Sequence, residues 1–550
     1  MVITALIVCA IGFAFAWRLA VYFERTVAVP AYGGTYTEAL VGEPKFINPI
    51  LAGINDADRD IVALVYSGLM RYDPEGNLVP DLAERYDISG DGKEYTFYLR
   101  KNVQWHDGKT FTADDVLFTI SAITNPEYGS PLRASWQGVS AQKVDEDAVK
   151  IILPKPYSQF LERTTVGIIP KHIWEEVAPV NANLADANLK PIGTGPYRFS
   201  KFTKDKLGNM VSYSLVAHDR FWDGTPYIKT VTFSFFAYED EALHAYKNGE
   251  VMGLANITPA RKTEAEKRGS VIYALHIPKY FAVFFNQSRA KPLTDKNVRK
   301  AFEAATHKEE IMSEVFSGNG TITDSPLLPW MTGYQPIAAQ NESLQERASS
   351  ILEDAGWKDK NGDGVLEKTI GSDKEPTPLE ITLVTSDSPD LIRIGELLKT
   401  QWEQVGARIH LENYDTDELK RRVIKPRKYD ALLFGEALTL YPDPYLFWHS
   451  SQKKDPGLNL SLYDNKEVDR LLENIRESLD PKERENSLKK LQEIMADEVP
   501  AVFLFSPSFL YAMDKDVKQV SATTVNVPAR RFAGMEKWYI ATKRIEKTAQ

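Results

Sequence analysis

The chain has 550 residues, of which 43% are hydrophobic and 26% are charged, and its formal net charge is −10. This length exceeds what one hydrophobic core usually fills, so two or three domains are expected, and the composition excludes a disordered or fibrous chain. The acidic balance, without a basic stripe, excludes nucleic acid as a partner.

The N-terminal stretch is apolar. Residues 2 to 23 contain a single charge, an arginine, and would form about 22 residues, or roughly 33 Å, of helix. This length predicts an uncleaved transmembrane anchor over residues 1 to 25, followed by a short tether over residues 26 to 32. Three alternatives remain open: a secretory signal cut after Ala16, a lipoprotein signal that uses Cys9, and a start annotated too far downstream.

A strand, a turn and a helix are predicted between residues 95 and 120. Apolar and polar side chains alternate from Tyr95 to Leu99, which is the period of a half-buried strand. Asp107-Gly108 supplies a turn, and Thr112 is a plausible helix N-cap with Asp115 as its capping-box partner.

Two helix-to-strand units follow further along the chain. Leu391 to Gln404 has apolar residues at helical spacing, and residues 407 to 414 then alternate as a strand does. Leu488 to Met495 marks another amphipathic helix, and Val499 to Met513 is a nearly continuous apolar strand, typical of a buried sheet. Interleaved helices and strands without an internal repeat indicate a mixed α/β architecture.

The sequence offers no arrangement of residues that is typical of catalysis. The eight histidines form no HxH or HxxxH pair, and neither a nucleophile elbow nor a P-loop occurs. The segment Gly193-Thr194-Gly195 lacks the third glycine of a phosphate cradle and is predicted to be a turn. We therefore expect a protein that is not an enzyme and that needs no cofactor.

One segment resembles the first half of a calcium-binding loop. Asp359, Asn361 and Asp363 place side-chain oxygen atoms at alternate positions, as such a loop requires. The position where a bidentate glutamate belongs is Ile370, with Glu367 as the fallback ligand. A plain turn without a metal is therefore the favoured interpretation.

The segment from Tyr95 to Ile120 resembles the signature of the family 5 extracellular solute-binding proteins. These are the oligopeptide- and dipeptide-binding subunits of ABC transporters. The resemblance continues collinearly over roughly residues 33 to 540. Its further motifs are Asn48-Pro49, Val65 to Ser89, Gly193 to Tyr197, Phe285-Asn286, Asn297 to Phe302, Asp354 to Trp357 and Tyr441 to Pro444.

The resemblance implies an α/β, two-lobed periplasmic-binding-protein fold of class II type with an extra inserted domain. Lobe I would comprise residues 33–64, 190–281 and 503–541, the inserted small domain residues 65–189, and lobe II residues 282–502. Two crossings between the lobes, near Pro278 to Phe284 and near Pro500 to Phe505, would form a hinge that closes over a ligand.

The resemblance also implies a function at the extracytoplasmic face of the bacterial membrane. The protein would capture oligopeptides between its lobes and deliver them to an ABC permease, acting as a monomer. Two alternatives remain: the same fold binding a metal chelate, a glycan or an opine-like solute, and an envelope peptide hydrolase. The hydrolase would need a nucleophile or a metal in the cleft, which the sequence does not offer.

The expected ligand site departs from the family pattern at one position. The family anchors the ligand amine with an aspartate just before the Tyr-x-Asp/Glu-Pro motif, and this chain has Leu440 there. Leu440 cannot pair with an ammonium group, so either another carboxylate takes that role or the ligand has no ordinary free amine. The candidate ligand-binding residues are Asn55, Asp56, Phe434, Glu436, Tyr441, Asp443 and Trp448.

Each candidate also has a structural interpretation. Asn55 and Asp56 are also typical of helix caps, Glu436 of a solvated loop charge and Asp443 of a turn-former ahead of a proline. Most aromatic residues between positions 432 and 451 would pack the lobe, with Tyr441 and Trp448 the best candidates for ligand contact.

Overall fold

The computed structural model describes residues 2–53, 55–266, 269–336, 344–372 and 374–547, with side chains from residue 11 onward except at residue 344. The helices are α1 Val2–Arg25, α2 Asp56–Val65, α3 Ala113–Thr124, α4 Phe160–Arg163, α5 Lys171–Trp174, α6 Glu239–Asn248, α7 Lys262–Glu266, α8 Lys296–Ala304, α9 Lys308–Phe316, α10 Leu344–Asp354, α11 Pro389–Glu403, α12 Thr416–Glu418, α13 Tyr445–Trp448, α14 Lys466–Glu477 and α15 Pro481–Glu498.

The strands are β1 Thr26–Pro30, β2 Thr35–Val41, β3 Met70–Tyr72, β4 Leu78–Pro80, β5 Ala83–Ile88, β6 Glu94–Leu99, β7 Ser140–Asp145, β8 Ala148–Ile152, β9 Tyr197–Lys204, β10 Met210–Ala217, β11 Thr230–Phe236, β12 Gly253–Ile257, β13 Val271–His276, β14 Lys279–Phe285, β15 Gly320–Ile322, β16 Glu367–Lys368, β17 Thr377–Pro378, β18 Glu380–Ser386, β19 Arg408–Tyr414, β20 Ala431–Ala437, β21 Ala501–Met513 and β22 Thr542–Glu546. Helices and strands interleave along the chain, so the predicted α/β class is confirmed.

One large sheet runs through both halves of the molecule. Its strand order is β19-β18-β20-β14-β21-β12-β2-β11-β10-β9, and β13 and β15 also pair with β21. Residues 501–505 of β21 pair with β14, whereas residues 508–513 pair with β13. The predicted apolar strand from Val499 to Met513 therefore exists, beginning at Ala501, and it is shared by the two halves.

The two halves of this sheet define two lobes. Lobe I carries β2 and β9 to β13, and lobe II carries β14, β18, β19 and β20. In lobe II, Val283 and Phe285 of β14 pack into one apolar core with α8, α9 and α11, and Ala282 and Phe284 pack into another with α14 and α15. Because side chains of a strand alternate between its faces, this strand contributes to both cores.

The chain passes from lobe I to lobe II between β13 and β14, and it returns within β21. The first crossing is the short segment Ile277-Pro278. It connects β13, which pairs with the last part of β21, to β14, which pairs with the first part of β21. Both crossings fall at or next to the positions expected for a hinge. Hinge motion itself stays a prediction.

The segment between the lobe I strands β2 and β9 forms a separate four-stranded sheet, ordered β5-β6-β8-β7. Side chains from Tyr95 to Leu99 alternate between buried and half-buried, as predicted. The main-chain N–H of Thr112 donates a 3.0 Å hydrogen bond to Asp115, so the predicted capping box at the start of α3 is confirmed. The apolar core of this inserted segment is continuous with that of lobe I.

The N-terminal region differs from its prediction. In the part of the chain that is described with side chains, no helix is both long and apolar enough to cross a membrane. The predicted transmembrane anchor is therefore not supported, although α1 is helical, and residues 1 to 10 lie outside the described side chains. The predicted tether contains β1, which pairs antiparallel with β22 near the C-terminus. Thr26 to Pro30 contains β-branched side chains, which favour the extended backbone of a strand.

Two predicted helix-to-strand units are found with boundaries shifted by a few residues. The helix predicted from Leu391 is α11, which begins two residues earlier because Pro389 suits the first turn. It leads through Gly406, which has a positive φ of 86°, into β19. The helix predicted around Leu488 to Met495 is the buried face of α15.

Candidate functional site

A cavity of about 440 Å³ lies between lobe I, the inserted segment and the C-terminal segment. Its lining includes the end of α2, residues 66–74, residues 132–136, residues 162–167 and residues 526–537. The volume falls within the range of roughly 300–1,000 Å³ that is usual for small-molecule sites. This cavity is therefore the candidate ligand site.

Lobe II reaches the rim of this cavity through the loop that follows β20, where the main-chain N–H of Leu440 contacts the cavity-lining Glu162. The main-chain N–H of Leu78 donates a 3.1 Å hydrogen bond to the hydroxyl of Tyr441. The side-chain amide of Gln159 donates a 3.1 Å hydrogen bond to the carbonyl oxygen of Pro442. Lobe II and the inserted segment thus join close to the cavity, which is what closure of a two-lobed binding protein produces.

A second cavity, of about 520 Å³, lies on the outer side of the same contact. Its lining includes Asp443 and Arg476, whose side chains form an ion pair at 2.7 Å. Arg476 also stacks over the ring of Tyr445 at 3.8 Å. Because Asp443 and Arg476 already pair with each other, these two residues are weaker candidates for contact with a ligand.

A carboxylate in the first cavity lies next to the position where the family's amine anchor is missing. Glu162 accepts a 2.5 Å hydrogen bond from the hydroxyl of Tyr72. Burial raises the pKa of the Glu162 carboxyl, while Tyr72, Arg530 and the main-chain N–H of Leu440 lower it. Glu162 therefore brings a negative charge from the inserted segment to the backbone of Leu440.

A guanidinium faces this carboxylate from the C-terminal segment. Arg530 lies 5.0 Å from the centre of the Tyr72 ring. Burial lowers the pKa of Arg530, and Tyr72, Asp81 and Glu162 raise it. The cavity therefore contains both signs of charge and is suited to a ligand that carries both.

The residue after Arg530 fixes the C-terminal segment to lobe I. Arg531 is fully buried and donates to both carboxylate oxygens of Asp60, at 2.8 and 2.5 Å. Its Nε also donates to Glu38 at 3.1 Å, and Glu38 accepts a 3.0 Å hydrogen bond from the hydroxyl of Tyr511. A paired and hydrogen-bonded buried charge of this kind holds its segment in one place.

Two cavity-lining residues each have a buried polar atom without a hydrogen-bond partner among the described residues. These atoms are the hydroxyl of Tyr66 and Oδ1 of Asn526. Burial raises the pKa of the Tyr66 hydroxyl, so it stays protonated at neutral pH. Buried polar atoms usually have partners, so these two are candidates for hydrogen bonds to a ligand.

Asn55 and Asp56 lie at the start of α2. Asn55 accepts a 2.9 Å hydrogen bond from the main-chain N–H of Ala57 and donates one of 2.9 Å to the carbonyl oxygen of Glu43. It is therefore a helix cap. Asp56 is exposed and lies 3.8 Å from Arg59, and its negative charge suits the first helical turn.

Glu436 is buried rather than solvated. Its carboxylate accepts a hydrogen bond from the hydroxyl of Tyr280, its partner in the β14–β20 register. Burial raises the pKa of Glu436, while Tyr280 and Arg427 lower it. The interpretation of Glu436 as a solvated loop charge is therefore wrong. Glu436 lies within β20, and its side chain is on the face of that strand that is turned into the lobe.

Phe434 and Trp448 pack in a core of lobe II. Trp448 is 1% exposed and lies 6.1 Å from the ring of Phe284 and 5.7 Å from that of Phe503. In this arrangement Trp448 has almost no surface left for a ligand. Ligand contact by these two aromatic residues gains no support from the structure.

Tyr441 and Asp443 occupy the contact between lobe II and the inserted segment. Tyr441 accepts the hydrogen bond from Leu78, at the rim of the first cavity. Asp443 pairs with Arg476 and lies 3.5 Å from the hydroxyl of Tyr157, so its charge is already used. Of the candidates in this loop, Tyr441 remains nearest to the ligand site.

The segment that resembles a calcium loop is a network of turns. Asp359 accepts hydrogen bonds from the main-chain N–H groups of Gly362 and Gly364, at 2.7 and 3.0 Å. Asn361 and Asp363 each accept one from the residue two positions on, at 2.9 Å. No cluster of metal-binding side chains is found among the described residues, here or elsewhere.

Sequence reasoning missed most of the cavity lining. Glu162 and Arg530 come from segments far apart in the chain that show no motif of their own. The adjacent cations Arg530 and Arg531 gave no usable signal either, because the sequence contains other such pairs, among them Arg421-Arg422 and Lys489-Lys490. In the structure, Arg531 supplies a buried ion pair and Arg530 lines the cavity.

The geometry can now be compared with known proteins. The family model described as "Bacterial extracellular solute-binding proteins, family 5 Middle" matches residues 77–458. The chain belongs to this family. Its members are binding proteins, and the two-lobed α/β solute-binding fold agrees with the sheet described above.

Three similar proteins illustrate the range of ligands. The chain is 28% identical over 526 residues to the oligopeptide-binding protein AppA of Bacillus subtilis, covering 94% of each. The structure of that AppA with a nonapeptide has a TM-score of 0.66 and covers 93% of this chain and all of that one. NikZ from Campylobacter jejuni, in complex with Ni(L-His), is 28% identical with a TM-score of 0.69, covering 92% and 99%. The dipeptide-binding protein of Escherichia coli is 26% identical over 521 residues, covering 90% and 93%.

Proposed function

We propose that this protein is the extracytoplasmic substrate-binding component of an ABC importer and that it captures short peptides in the cavity beside Tyr441. The observation that carries the proposal is the meeting of Leu78 with Tyr441 and of Gln159 with Pro442 at the cavity rim. Opening these contacts would let a ligand in, and re-forming them would enclose it. The family membership and the peptide ligands of its relatives support the same function.

The proposed mechanism needs binding and closure but no covalent chemistry. Lobe I would comprise residues 33–64, 190–281 and 503–541, the inserted domain residues 65–189 and lobe II residues 282–502. The hinge would lie at Ile277-Pro278 and in the middle of β21. The closed protein would then be recognised by an ABC permease, because only the closed form presents both lobes in a fixed relationship.

The size of the cavity favours a short peptide or a similar small solute. A volume of about 440 Å³ lies in the lower half of the usual range for ligand sites. Mixed charge on the walls suits a peptide, whose termini carry opposite charges.

A second candidate is a complex of a metal ion with an amino acid. Two observations favour it: NikZ, at 28% identity, was solved with Ni(L-His), and Leu440 removes the family's amine-anchoring carboxylate. An amino acid that chelates a metal through its amine has no ammonium group to anchor. The ligand would then enter the cavity as a preformed chelate.

Native mass spectrometry of the protein purified without denaturation tests both candidates. We expect the protein to retain short peptides, which dissociate in the gas phase and can be sequenced. A retained mass that matches a metal with one or two amino acids would favour the chelate. Protein that retains nothing and binds neither a tripeptide library nor Ni(L-His) would contradict both.

A further inference from the structure

Among the described residues, the guanidinium of Arg530 has no ion-paired or hydrogen-bonded partner, and it lies over the face of the Tyr72 ring. Asp81 and Glu162 interact with this cation electrostatically, but neither forms an ion pair with it. Glu162 accepts a hydrogen bond from Tyr72, and Asp81 accepts one of 3.1 Å from the indole of Trp222. Burying a cation costs free energy unless an anion pairs with it, so a half-buried cation in a cavity favours binding of an anionic group.

The neighbouring residue explains why Arg530 points to the cavity. Residues Pro528–Phe532 form a 3₁₀ turn, in which successive side chains are about 120° apart. Arg531 is directed into lobe I by its ion pairs with Asp60 and Glu38. The side chain of Arg530 is therefore turned away from lobe I and towards the open space.

An acceptor without a partner lies on the same segment. Asn526 lines the cavity, and its Oδ1 is buried and has no hydrogen-bond partner among the described residues. Asn526 precedes Arg530 by four residues. One short segment thus offers a ligand a cation and a hydrogen-bond acceptor together. The last residue of a peptide carries the complementary pair, a carboxylate and a main-chain N–H.

We infer that Arg530 binds the C-terminal carboxylate of the ligand and that Asn526 accepts a hydrogen bond from the last peptide N–H. This assignment rests on the proposed function. It makes the C-terminus the end of the peptide that is recognised by charge. Leu440 fits this polarity, because the side chain at the family's amine-anchoring position is uncharged here and the neighbouring Glu162 is already bound to Tyr72 and to the main-chain N–H of Leu440. Arginine is suited to the role since its planar fork binds a carboxylate through two hydrogen bonds.

A mixed tripeptide library in four terminal forms tests the inference by titration calorimetry. The forms are unmodified, N-acetylated, C-amidated and modified at both ends. With the natural protein we expect amidation to weaken binding by about 30-fold or more, because the cation is left unpaired. Acetylation should weaken binding by less than about 3-fold, since no ionised group is left without its partner.

Variants of the arginine give the second arm of the experiment. In Arg530→Gln, the unmodified and amidated libraries should bind equally and weakly, whereas Arg530→Lys should keep part of the preference for the free acid. Arg85→Gln is the matched control, because Arg85 is an exposed arginine that contacts Asp87 and the Tyr98 ring, away from the cavity. Thermal unfolding of each variant tests whether it is folded, and the natural protein alone still yields the acid-to-amide ratio.

The outcomes are distinguishable. Equal binding of acid and amide by the natural protein would overturn the role of Arg530 while leaving peptide capture intact. A preserved preference in Arg530→Gln would likewise overturn it. If the natural protein binds no form of the library, the proposed function fails and the assignment of Arg530 fails with it.

Discussion

The side-chain amide of Gln159 in the inserted segment donates a hydrogen bond to the carbonyl oxygen of Pro442 in lobe II, at 3.1 Å. Gln159 is 7% exposed, so this bond is shielded from water. It joins lobe II to the inserted segment, which lines part of the ligand cavity. Its strength should therefore bear on how readily the lobes part.

Replacing Gln159 with alanine should shift the protein towards an open form. Loss of one buried hydrogen bond corresponds to about 1 kcal/mol, or roughly fivefold weaker peptide binding. Titration calorimetry and the radius of gyration from solution scattering measure the two effects. Gln142→Ala, at an exposed position of β7, is the control, and an equal loss of affinity in both variants would contradict a specific role for Gln159.

Replacing Asp60 with asparagine should destabilise the fold. Arg531 would keep its ion pair with Glu38 but lose the one with the Asp60 carboxylate, and both lie in a fully buried site. We expect this loss to lower the free energy of unfolding by about 3 kcal/mol. Asp56→Asn, on the same helix but exposed and 3.8 Å from its arginine, should change stability by less than about 0.5 kcal/mol. Denaturant unfolding of both variants is the measurement, and equal effects would contradict the buried network.

Asp81 should make the protein less stable as the pH rises from about 4 to 6. Burial raises its pKa to about 6, so between these values the folded state binds more protons than the unfolded state, and raising the pH removes stability. The loss in the free energy of unfolding is absent below the pKa that Asp81 has in the unfolded state. It is complete above the pKa that Asp81 has in the folded state, where it is on the order of 3 kcal/mol.

Asp81→Asn isolates this contribution from other groups that titrate in the same range. The asparagine can still accept the hydrogen bond from Trp222, but it has no charge to bury. We expect the stability difference between the variant and the natural protein to grow between pH 4 and pH 6 and to level off above. A difference that does not vary with pH would be contrary to this expectation.

Introducing an aspartate at Leu440 should restore an amine anchor at the cavity rim. Free-amine tripeptides should then bind about 10-fold more tightly, whereas N-acetylated tripeptides should not gain. Competition binding with the two libraries measures the change. Leu446→Asp, at a 42% exposed position of the same loop region, is the control, and a gain for acetylated peptides would speak against the anchor.

Calcium should have no effect on stability. The side-chain oxygens of Asp359, Asn361 and Asp363 already accept hydrogen bonds from main-chain N–H groups of their own turn. Thermal unfolding in millimolar calcium and in chelator should give the same midpoint. A clear rise of the midpoint with calcium would show that the turn rearranges to bind the ion.

The sequence alone predicted those features that depend on local pattern. The strand from Tyr95, the capping box of Thr112 and Asp115, and α11 with β19 all follow from periodicity and caps within a few residues. The candidate site was less predictable, because Glu162 and Arg530 approach each other only through the tertiary fold. Glu436 and Trp448 are buried because their side chains point into the core of lobe II. The number of aromatic residues in this segment does not indicate which side chains point inward.

Solution scattering with and without peptide tests the central claim most directly. The claim is that lobe II closes on the inserted segment over a bound peptide, through contacts such as that of Leu78 with Tyr441. For ligand-free protein mixed with the tripeptide library, we expect a smaller radius of gyration than for the protein alone. Half of this decrease should occur when the free peptide concentration equals the Kd from titration calorimetry. Saturable peptide binding with an unchanged radius would contradict capture by closure.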